Sequence, residues 1–182
     1  MGASAEIVYK LIVVGDAGVG KTALARRYTE GKFDETYVLT LGVDFFTKAV
    51  KVKGHKIKLV IYDTAGQEVF DFVRGLYFEG SAGAVIAYSV TSRKSFERIA
   101  YWRDQVEQRC KGIPVMLVGC KVDLEDRREV ARQEGQARAK QEKMAFVESS
   151  AKSDLNVGDV FQKLAEMVWD AFEKKRRLLG KG

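Results

Sequence analysis

Short apolar runs alternate with longer amphipathic segments along most of the chain. Several runs are almost continuously apolar, which is typical of strands buried on both faces of a parallel sheet. These runs are Ile7–Val14, Ala84–Tyr88, Val115–Val118 and Ala145–Val147. Apolar residues at helical spacing predict helices over Ser95–Arg109, Glu129–Lys143 and Val157–Phe172, with Asn156 placed to cap the last one.

One segment has the period of a hairpin instead. From Lys48 to Asp63, apolar residues alternate with lysines on either side of Gly54-His55. The pattern predicts an α/β fold: a doubly wound, mostly parallel six-stranded sheet with one antiparallel strand and helices on both faces. In such a sheet, ligands bind beyond the carboxyl ends of the strands.

Length and composition fit a single domain. The chain has 182 residues, of which 46% are hydrophobic and 31% charged, with one proline and no low-complexity stretch. We expect the domain to span residues 7–173. Residues 1–6 are expected to be a flexible N-terminus or a cloning remnant, and residues 174–182 a basic tail.

Charge and cysteine content limit the binding partners and the cellular compartment that we expect for this protein. The net charge is +6, but basic residues are scattered and the run Lys174–Arg177 lies near the end, so we expect no nucleic-acid partner and at most weak or transient membrane contact. Two cysteines offer neither a disulfide scaffold nor metal-ligand spacing, and no secretory segment opens the chain. A cytoplasmic protein that is not secreted is expected.

A phosphate-binding loop follows the first strand. Residues 15–22, GDAGVGKT, match GxxxxGK[ST] between a predicted strand and a predicted helix. Glycines let the backbone wrap around phosphate oxygens, Lys21 reaches the β- and γ-phosphates, and Thr22 offers a hydroxyl to Mg²⁺. The predicted phosphate-binding residues are Gly15, Asp16, Ala17, Gly18, Val19, Gly20, Lys21, Thr22 and Ala23.

Three further motifs accompany this loop. Asp63–Glu68 (DTAGQE) ends the second strand of the hairpin, where a carboxylate can hold a Mg²⁺-bound water and a glycine N–H can meet a γ-phosphate. With Lys121-Val122-Asp123 and Ser149–Lys152, these motifs resemble, in order and spacing, those of the Ras superfamily of small GTPases, a group of P-loop NTPase G domains. Within it the chain is most similar to the Rab branch. Residues 40–45 (TLGVDF) resemble the Rab segment TIGVDF, and residues 77–80 (YFEG) resemble YYRG.

The resemblance implies roles for individual residues. Thr40 is expected to close on Mg²⁺ and the γ-phosphate, Gly66 to sense that phosphate, and Gln67 to orient the attacking water. The implied catalytic residues are Gln67, Lys21, Thr40 and Gly66. The implied Mg²⁺ ligands are Thr22, Thr40 and Asp63. Phe33 is expected to stack on guanine, and Tyr37 to contribute to the nucleotide site.

The predicted base pocket departs from the family at Cys120, where these proteins carry asparagine. A cysteine has no comparable amide, and a lost hydrogen bond that leaves its partner unsatisfied costs ~1–3 kcal/mol, or roughly 5- to 150-fold in affinity. We therefore expect faster nucleotide release. The alternatives for Cys120 are inert packing and a redox-active thiol.

Base choice depends on other residues of this pocket. The carboxylate of Asp123 matches the N1–H and N2–H₂ donors of guanine, the Ala151 N–H matches O6, and the stem of Lys121 lies along the base. Leu124, Ser150 and Lys152 complete the predicted pocket.

Hydrolysis is expected to be slow without a partner. The P-loop contains no arginine to neutralise charge on the transferred phosphoryl group, so an activating protein is expected to supply one; Arg74 is a weaker internal candidate. Ala17 stands where Ras proteins carry glycine and Rabs often serine, which makes the rate harder to predict.

The predicted function is a monomeric GTP-hydrolysing switch. Its partners are expected to be effector, GTPase-activating and exchange proteins that contact the switch regions, with Phe45, Tyr62 and Tyr77 either facing effectors or packing in the core. The alternatives are a guanine-nucleotide-binding scaffold with little hydrolysis and an ATP-using P-loop enzyme, against which Asp123 argues. The chain ends without the cysteines that are prenylated in Rabs, so we expect either a truncated sequence or a GTPase without a lipid anchor.

Overall fold

The computed structural model describes residues 6–35, 40, 42–64 and 77–180. The strands are β1 (Ile7–Val14), β2 (Val43–Val52), β3 (His55–Thr64), β4 (Gly83–Ser89), β5 (Val115–Cys120) and β6 (Ala145–Ser149). The helices are α1 (Lys21–Glu30), α2 (Arg93–Glu97), α3 (Ile99–Arg109), α4 (Arg132–Gln141) and α5 (Val157–Leu179), with a short 3₁₀ turn at Glu125–Arg127.

The six strands form one sheet in the order β2-β3-β1-β4-β5-β6. Strand β2 runs antiparallel to β3, and every other pairing is parallel. The predicted sheet and its single antiparallel strand are confirmed. Because β1, β5 and β6 are parallel, the loops that follow them emerge at the same edge.

Helices cover both faces of the sheet, as predicted. On one face α1 and α5 pack together, and the rings of Tyr28 and Phe161 stack with their centroids 4.4 Å apart. On the other face, α2, α3 and α4 enclose a second apolar cluster around Trp102 and Tyr88. The continuous apolar runs of β4 and β5 follow from this arrangement, since every residue of both strands is buried.

Two predicted helices are shorter than their apolar spacing indicated. The helix expected over Ser95–Arg109 is divided at Arg98 into α2 and α3. The helix expected over Glu129–Lys143 begins only at Arg132, where the carboxylate of Glu134 accepts a hydrogen bond of 2.9 Å from the Ala131 N–H. That contact satisfies a main-chain donor at the start of the helix.

Helix α5 is longer than predicted. It continues to Leu179, so residues 174–179 of the expected tail extend the helix. Asn156 occupies the cap position, as expected, but its side chain makes no capping bond. With φ at 56°, Asn156 adopts the left-handed conformation, and its amide donates a hydrogen bond of 2.8 Å to the Glu148 carbonyl.

The turn between β2 and β3 rests on α5. The rings of His55 and Trp169 stack with centroids 4.4 Å apart, and Lys53 forms an ion pair with Asp170. None of the described helices combines the length and apolar character needed to cross a bilayer.

Candidate functional site

The predicted phosphate loop wraps around the side chain of Lys21. The ammonium group is buried and donates hydrogen bonds to the carbonyl oxygens of Gly15 (2.9 Å) and Asp16 (2.8 Å). At Gly15, φ is 146°, and an added Cβ would lie 2.2 Å from the Ala87 carbonyl oxygen. Only glycine therefore lets the loop pass so close to β4.

Three oxygen-bearing side chains meet beside this loop. The hydroxyl oxygens of Thr22 and Thr40 lie 2.8 Å apart and share a hydrogen bond, and the Thr22 hydroxyl also donates to Oδ2 of Asp63. Burial raises the pKa of Asp63 to about 6, against the lowering effect of its bond from Thr22, and its Oδ1 is buried without a protein hydrogen bond. The structure therefore brings together the three residues that the sequence analysis named as Mg²⁺ ligands.

The cluster has the ligand chemistry of a magnesium site. Within the described part of the chain, no group of three or more histidine, cysteine, aspartate or glutamate side chains could hold a metal. Two hydroxyls and one carboxylate are hard oxygen donors, which Mg²⁺ prefers while keeping several waters. The buried, unpartnered Oδ1 of Asp63 fits such a hydrated cation.

A cavity of about 320 Å³ extends from the phosphate loop across the carboxyl ends of β5 and β6. Its walls come from four segments that are distant in the sequence. They are Gly20, Ala23, Leu24, Phe33, Glu35, Cys120, Lys121, Asp123, Leu124, Ser149, Ala151 and Lys152. Most of the residues predicted to bind the base therefore line one pocket next to the phosphate loop.

The carboxylate of Asp123 has a fixed orientation in this pocket. Its Oδ1 accepts a hydrogen bond of 2.6 Å from the hydroxyl of Ser150, which is fully buried. The main chain of Ser150 is held in turn by two hydrogen bonds with Leu155. Lys121, with φ at 67°, donates from its ammonium group to the Gly18 carbonyl and so joins the base loop to the phosphate loop.

Glu35 lines the pocket and Arg27 supports one of its walls, although the sequence did not single them out. The guanidinium of Arg27 donates to the carbonyls of Ala151 (2.7 Å) and Lys152 (3.0 Å) and so joins α1 to the loop after β6. The side chain of Lys152 forms an ion pair of 2.8 Å with Glu35, which lowers the Glu35 pKa. No local pattern identifies these contacts, because each joins residues more than a hundred positions apart.

Cys120 faces the phosphate loop from the end of β5. The residue is 5% exposed, and a Cβ built at Gly20 would lie 3.5 Å from the Cys120 Cβ. Burial raises the pKa of its thiol to about 12, although Lys121 and Lys21 act in the opposite direction. A protonated, buried thiol is a poor nucleophile, so the geometry favours packing over a redox role.

Other predicted residues lie near the site in different ways. Phe33 lines the cavity, with the guanidinium carbon of Arg27 5.9 Å from its ring centre. Val19 is buried under the loop, and Ala17 is exposed. Asp16 turns its side chain away from Lys21 and toward α3. The predicted residues Tyr37, Gly66, Gln67 and Arg74 lie outside the described residues.

The three aromatic residues predicted to face effectors or pack in the core form a partly exposed cluster. The rings of Phe45 and Tyr62 meet edge to face with centroids 4.7 Å apart, and Tyr77 lies 6.2 Å from Phe45. Phe45 is 56% exposed, whereas Tyr62 is partly buried against the apolar cluster around Trp102, so these residues lie at the edge of the core.

Sequence comparison agrees with this geometry. Residues 10–170 match the sequence model of the Ras family. The chain is 39% identical to Ras-related protein Rab-13 of Rattus norvegicus over 162 residues, covering 88% of this chain and 80% of that protein. It is 38% identical to Rab-10 of Caenorhabditis elegans over 164 residues, covering 90% and 82%, and 36% identical to human Rab-15 over 171 residues, covering 93% and 81%.

The chain belongs to the Ras family of small GTPases. It is a Rab-like molecular switch that binds GTP and GDP and hydrolyses GTP to GDP. The predicted fold class and enzymatic activity are thereby confirmed.

Proposed function

We propose that the guanine nucleotide of this switch lies across the carboxyl ends of β1, β5 and β6, with its phosphates in the loop 15–22 and its base in the 320 Å³ cavity. The proposal depends on one observation: the phosphate-binding loop and the cavity form one continuous pocket. Gly20 and Ala23 at the start of α1 line the same pocket as Asp123 and Ala151. A single extended ligand with an anionic end and a flat polar end fits this shape.

The phosphate end is held by fixed positive charge. The main-chain N–H groups of the loop and the start of α1 supply positive partial charges, and Lys21 supplies a full charge. Since two loop carbonyls already hold its ammonium group, Lys21 is oriented before the nucleotide binds. Little side-chain entropy is then lost on binding.

Thr22, Thr40 and Asp63 are the proposed ligands of a Mg²⁺ ion. When bound, the ion neutralises negative charge on the phosphate oxygens. Thr40 lies in the segment that the Rab resemblance assigns to the first switch. The hydroxyl of Thr40 lies 2.8 Å from that of Thr22, although the two residues are 18 positions apart in the chain. We propose that this closeness lets the first switch respond to the γ-phosphate.

The base end selects guanine by hydrogen-bond complementarity. Asp123, oriented by Ser150, accepts from guanine N1–H and N2–H₂, and the N–H of Ala151 donates to O6. Adenine would present an acceptor at N1 to the carboxylate and an amine to the Ala151 N–H. These two mismatches exclude ATP.

Gln67 is the residue proposed to orient the attacking water, with Gly66 contacting the γ-phosphate, on the strength of the intact DTAGQE motif. The proposed rate without a partner is slow, because the loop 15–22 contains no arginine to stabilise the transferred phosphoryl group. A GTPase-activating protein would supply that charge.

Two exposed surfaces are proposed to contact an effector protein and a membrane. The proposed effector surface is the cluster Phe45, Tyr62 and Tyr77. It exposes apolar area, and Phe45 lies in β2, close to Thr40 in the sequence. The basic end of α5 is proposed to give weak, transient contact with anionic membranes. We propose a cytoplasmic monomer that binds its partners in turn.

The nucleotide carried by the freshly purified protein tests the proposed site. The protein is denatured, and the released nucleotide is identified and quantified by chromatography, with a Mg²⁺-containing buffer blank and a Lys21→Ala variant treated in parallel. We expect close to one GDP per chain for the wild type and little for the variant. A wild-type protein that carries no guanine nucleotide would contradict the proposed site.

A further inference from the structure

Asp16 contacts two separate parts of the protein. Its main-chain carbonyl accepts the hydrogen bond from Lys21 on the phosphate side of the loop. Its side chain points the other way, and one oxygen, Oδ1, accepts from Arg98 Nε at 2.9 Å and from Trp102 Nε1 at 2.8 Å. A single residue therefore joins Lys21 to the corner between α2 and α3.

The two donors at this corner are held in place. Trp102 is 1% exposed and is packed in the apolar cluster beneath α2, α3 and α4. Arg98 is the one residue between α2 and α3, and its guanidinium carbon lies 4.6 Å from the centre of the Tyr101 ring. The main-chain N–H of Trp102 donates to the Arg98 carbonyl at 3.1 Å. Because the indole is fixed by core packing, it gives the Asp16 carboxylate a defined position.

The loop is anchored at two consecutive residues. Gly15 passes against the main chain of β4 at Ala87, and Asp16 is bound to α3. The carbonyls of these same two residues are the acceptors for Lys21. Movement of Asp16 would therefore displace one of the two oxygens that orient the ammonium group.

We propose that Asp16 is a positioning residue for the nucleotide: its contacts with Arg98 and Trp102 hold the loop carbonyl that orients Lys21, and their loss speeds GDP release. The inference rests on the proposed phosphate site. By thermodynamic linkage, a contact that strengthens GDP binding is itself strengthened by bound GDP, so we expect the nucleotide to affect the contact with Trp102.

GDP release rates test the positioning role. A GDP analogue with a fluorescent group on its ribose is displaced by excess GDP from the wild type, Asp16→Ala, Arg98→Gln and the double variant, in Mg²⁺ buffer. We expect each single change to speed release about fivefold or more. The double variant should match the Asp16 variant, because removing the carboxylate already removes its contact with Arg98.

Two further variants separate positioning from general stability. Arg98→Lys keeps a cationic donor and should restore most of the wild-type rate. Arg103→Gln removes a partly buried arginine of α3 whose guanidinium pairs with Glu107 at 2.8 Å, and it should leave release unchanged. Single-variant rates within twofold of the wild type, or additive effects in the double variant, would overturn the proposal.

The fluorescence of Trp102 provides a second test. If the contact with Asp16 only stabilised the fold, this fluorescence would not respond to the nucleotide. The chain has two tryptophans, so in a Trp169→Phe background the indole emission comes from Trp102 alone. We expect this emission to change when GDP is released after a chelator removes Mg²⁺, and the change to be lost in Asp16→Ala. An emission that does not depend on nucleotide also overturns the proposal. If the wild type binds no GDP analogue, the proposed phosphate site fails, whereas normal binding with unaffected variants refutes only the role of Asp16.

Discussion

Lys152 and Glu35 form an ion pair of 2.8 Å at the rim of the base cavity. The contact joins the segment after α1 to the loop after β6 and lies beside Phe33. Both side chains are more than half exposed, so solvent and salt screen the attraction. We therefore expect affinity for the base at the proposed site to come mainly from the interior of the cavity, where Cys120 and Asp123 lie.

Restoring an amide at position 120 should slow nucleotide release. In Cys120→Asn the new side chain can bond to N7 of the base and to the phosphate loop near Gly20, so we expect GDP to dissociate ~5- to 150-fold more slowly. Stopped-flow displacement of a fluorescent GDP analogue measures the rate. The matched control is Cys110→Ser, which keeps a donor to the Phe78 carbonyl far from the cavity. An unchanged rate in Cys120→Asn would show that the thiol does not weaken the site.

Removing the hydroxyl of Ser150 should loosen base recognition. Its hydrogen bond to Asp123 is to a charged group, so Ser150→Ala is expected to weaken GDP binding roughly 10- to 100-fold. The preference for GDP over inosine diphosphate, which lacks the 2-amino group, should fall as well. Isothermal titration with both nucleotides measures this. Ser153→Ala, with an exposed side chain, is the control. Weaker binding with an unchanged preference would mean that Ser150 does not orient Asp123.

Two helical glycines should respond oppositely to alanine. A Cβ at Gly135 in α4 would lie 2.5 Å from the Tyr88 hydroxyl and 2.6 Å from the Phe146 ring, so Gly135→Ala should destabilise the fold by ~1–3 kcal/mol. A Cβ at Gly158 in α5 meets nothing within 4 Å, so Gly158→Ala should stabilise by ~0.5–1 kcal/mol. Urea unfolding with saturating GDP and Mg²⁺ compares them. Equal effects would refute the packing described for α4.

The ion pair between Glu134 and Arg93 should make stability depend on acid. The guanidinium of Arg93, 2.6 Å away, and the Ala131 N–H lower the pKa of Glu134 from 4.5 to about 2. Because the folded state favours the carboxylate, the stabilisation is complete above pH 4.5 and is lost as the pH falls toward 2. The melting temperature of Glu134→Gln should therefore be lower than that of the wild type near neutral pH and approach it below pH 4. A difference that does not vary with pH would contradict this.

The end of α5 should bind anionic vesicles weakly. Phe172 and Leu179 are 61% and 73% exposed and lie on one helical face with Lys175 and Arg176. At ~1 kcal/mol for each basic residue, binding should be detectable and fall with added salt. Co-sedimentation with phosphatidylserine vesicles measures it, with Lys175→Gln/Arg176→Gln as the weakened variant and Arg132→Gln/Lys140→Gln as the control. Equal binding by both double variants would place the contact elsewhere.

The sequence predicted most of the sheet, because buried strands and the alternating hairpin have distinct periods. It also predicted most of the pocket, since motifs that follow parallel strands are brought to one edge. Thr22, Thr40 and Asp63 meet there, as do Cys120, Asp123 and Ala151.

The features that the sequence did not predict depend on contacts between distant residues. Apolar spacing continues through Arg98, so nothing local indicates that the helix is divided there. Arg27 reaches the loop after β6 across 124 positions, and Asp16 reaches α3 across more than eighty. Asn156 has the composition of a side-chain cap, but the Glu148 carbonyl takes its amide instead.

The stack of His55 on Trp169 and the ion pair of Lys53 with Asp170 fasten one end of the β2–β3 hairpin to α5, while Phe45 and Tyr62 lie toward the other end. These contacts hold the hairpin in one orientation relative to α5. A membrane or protein surface that binds the last turns of α5 would therefore lie at a fixed angle to the cluster Phe45, Tyr62 and Tyr77. The fold thus sets the orientation of the proposed effector surface relative to the end of α5.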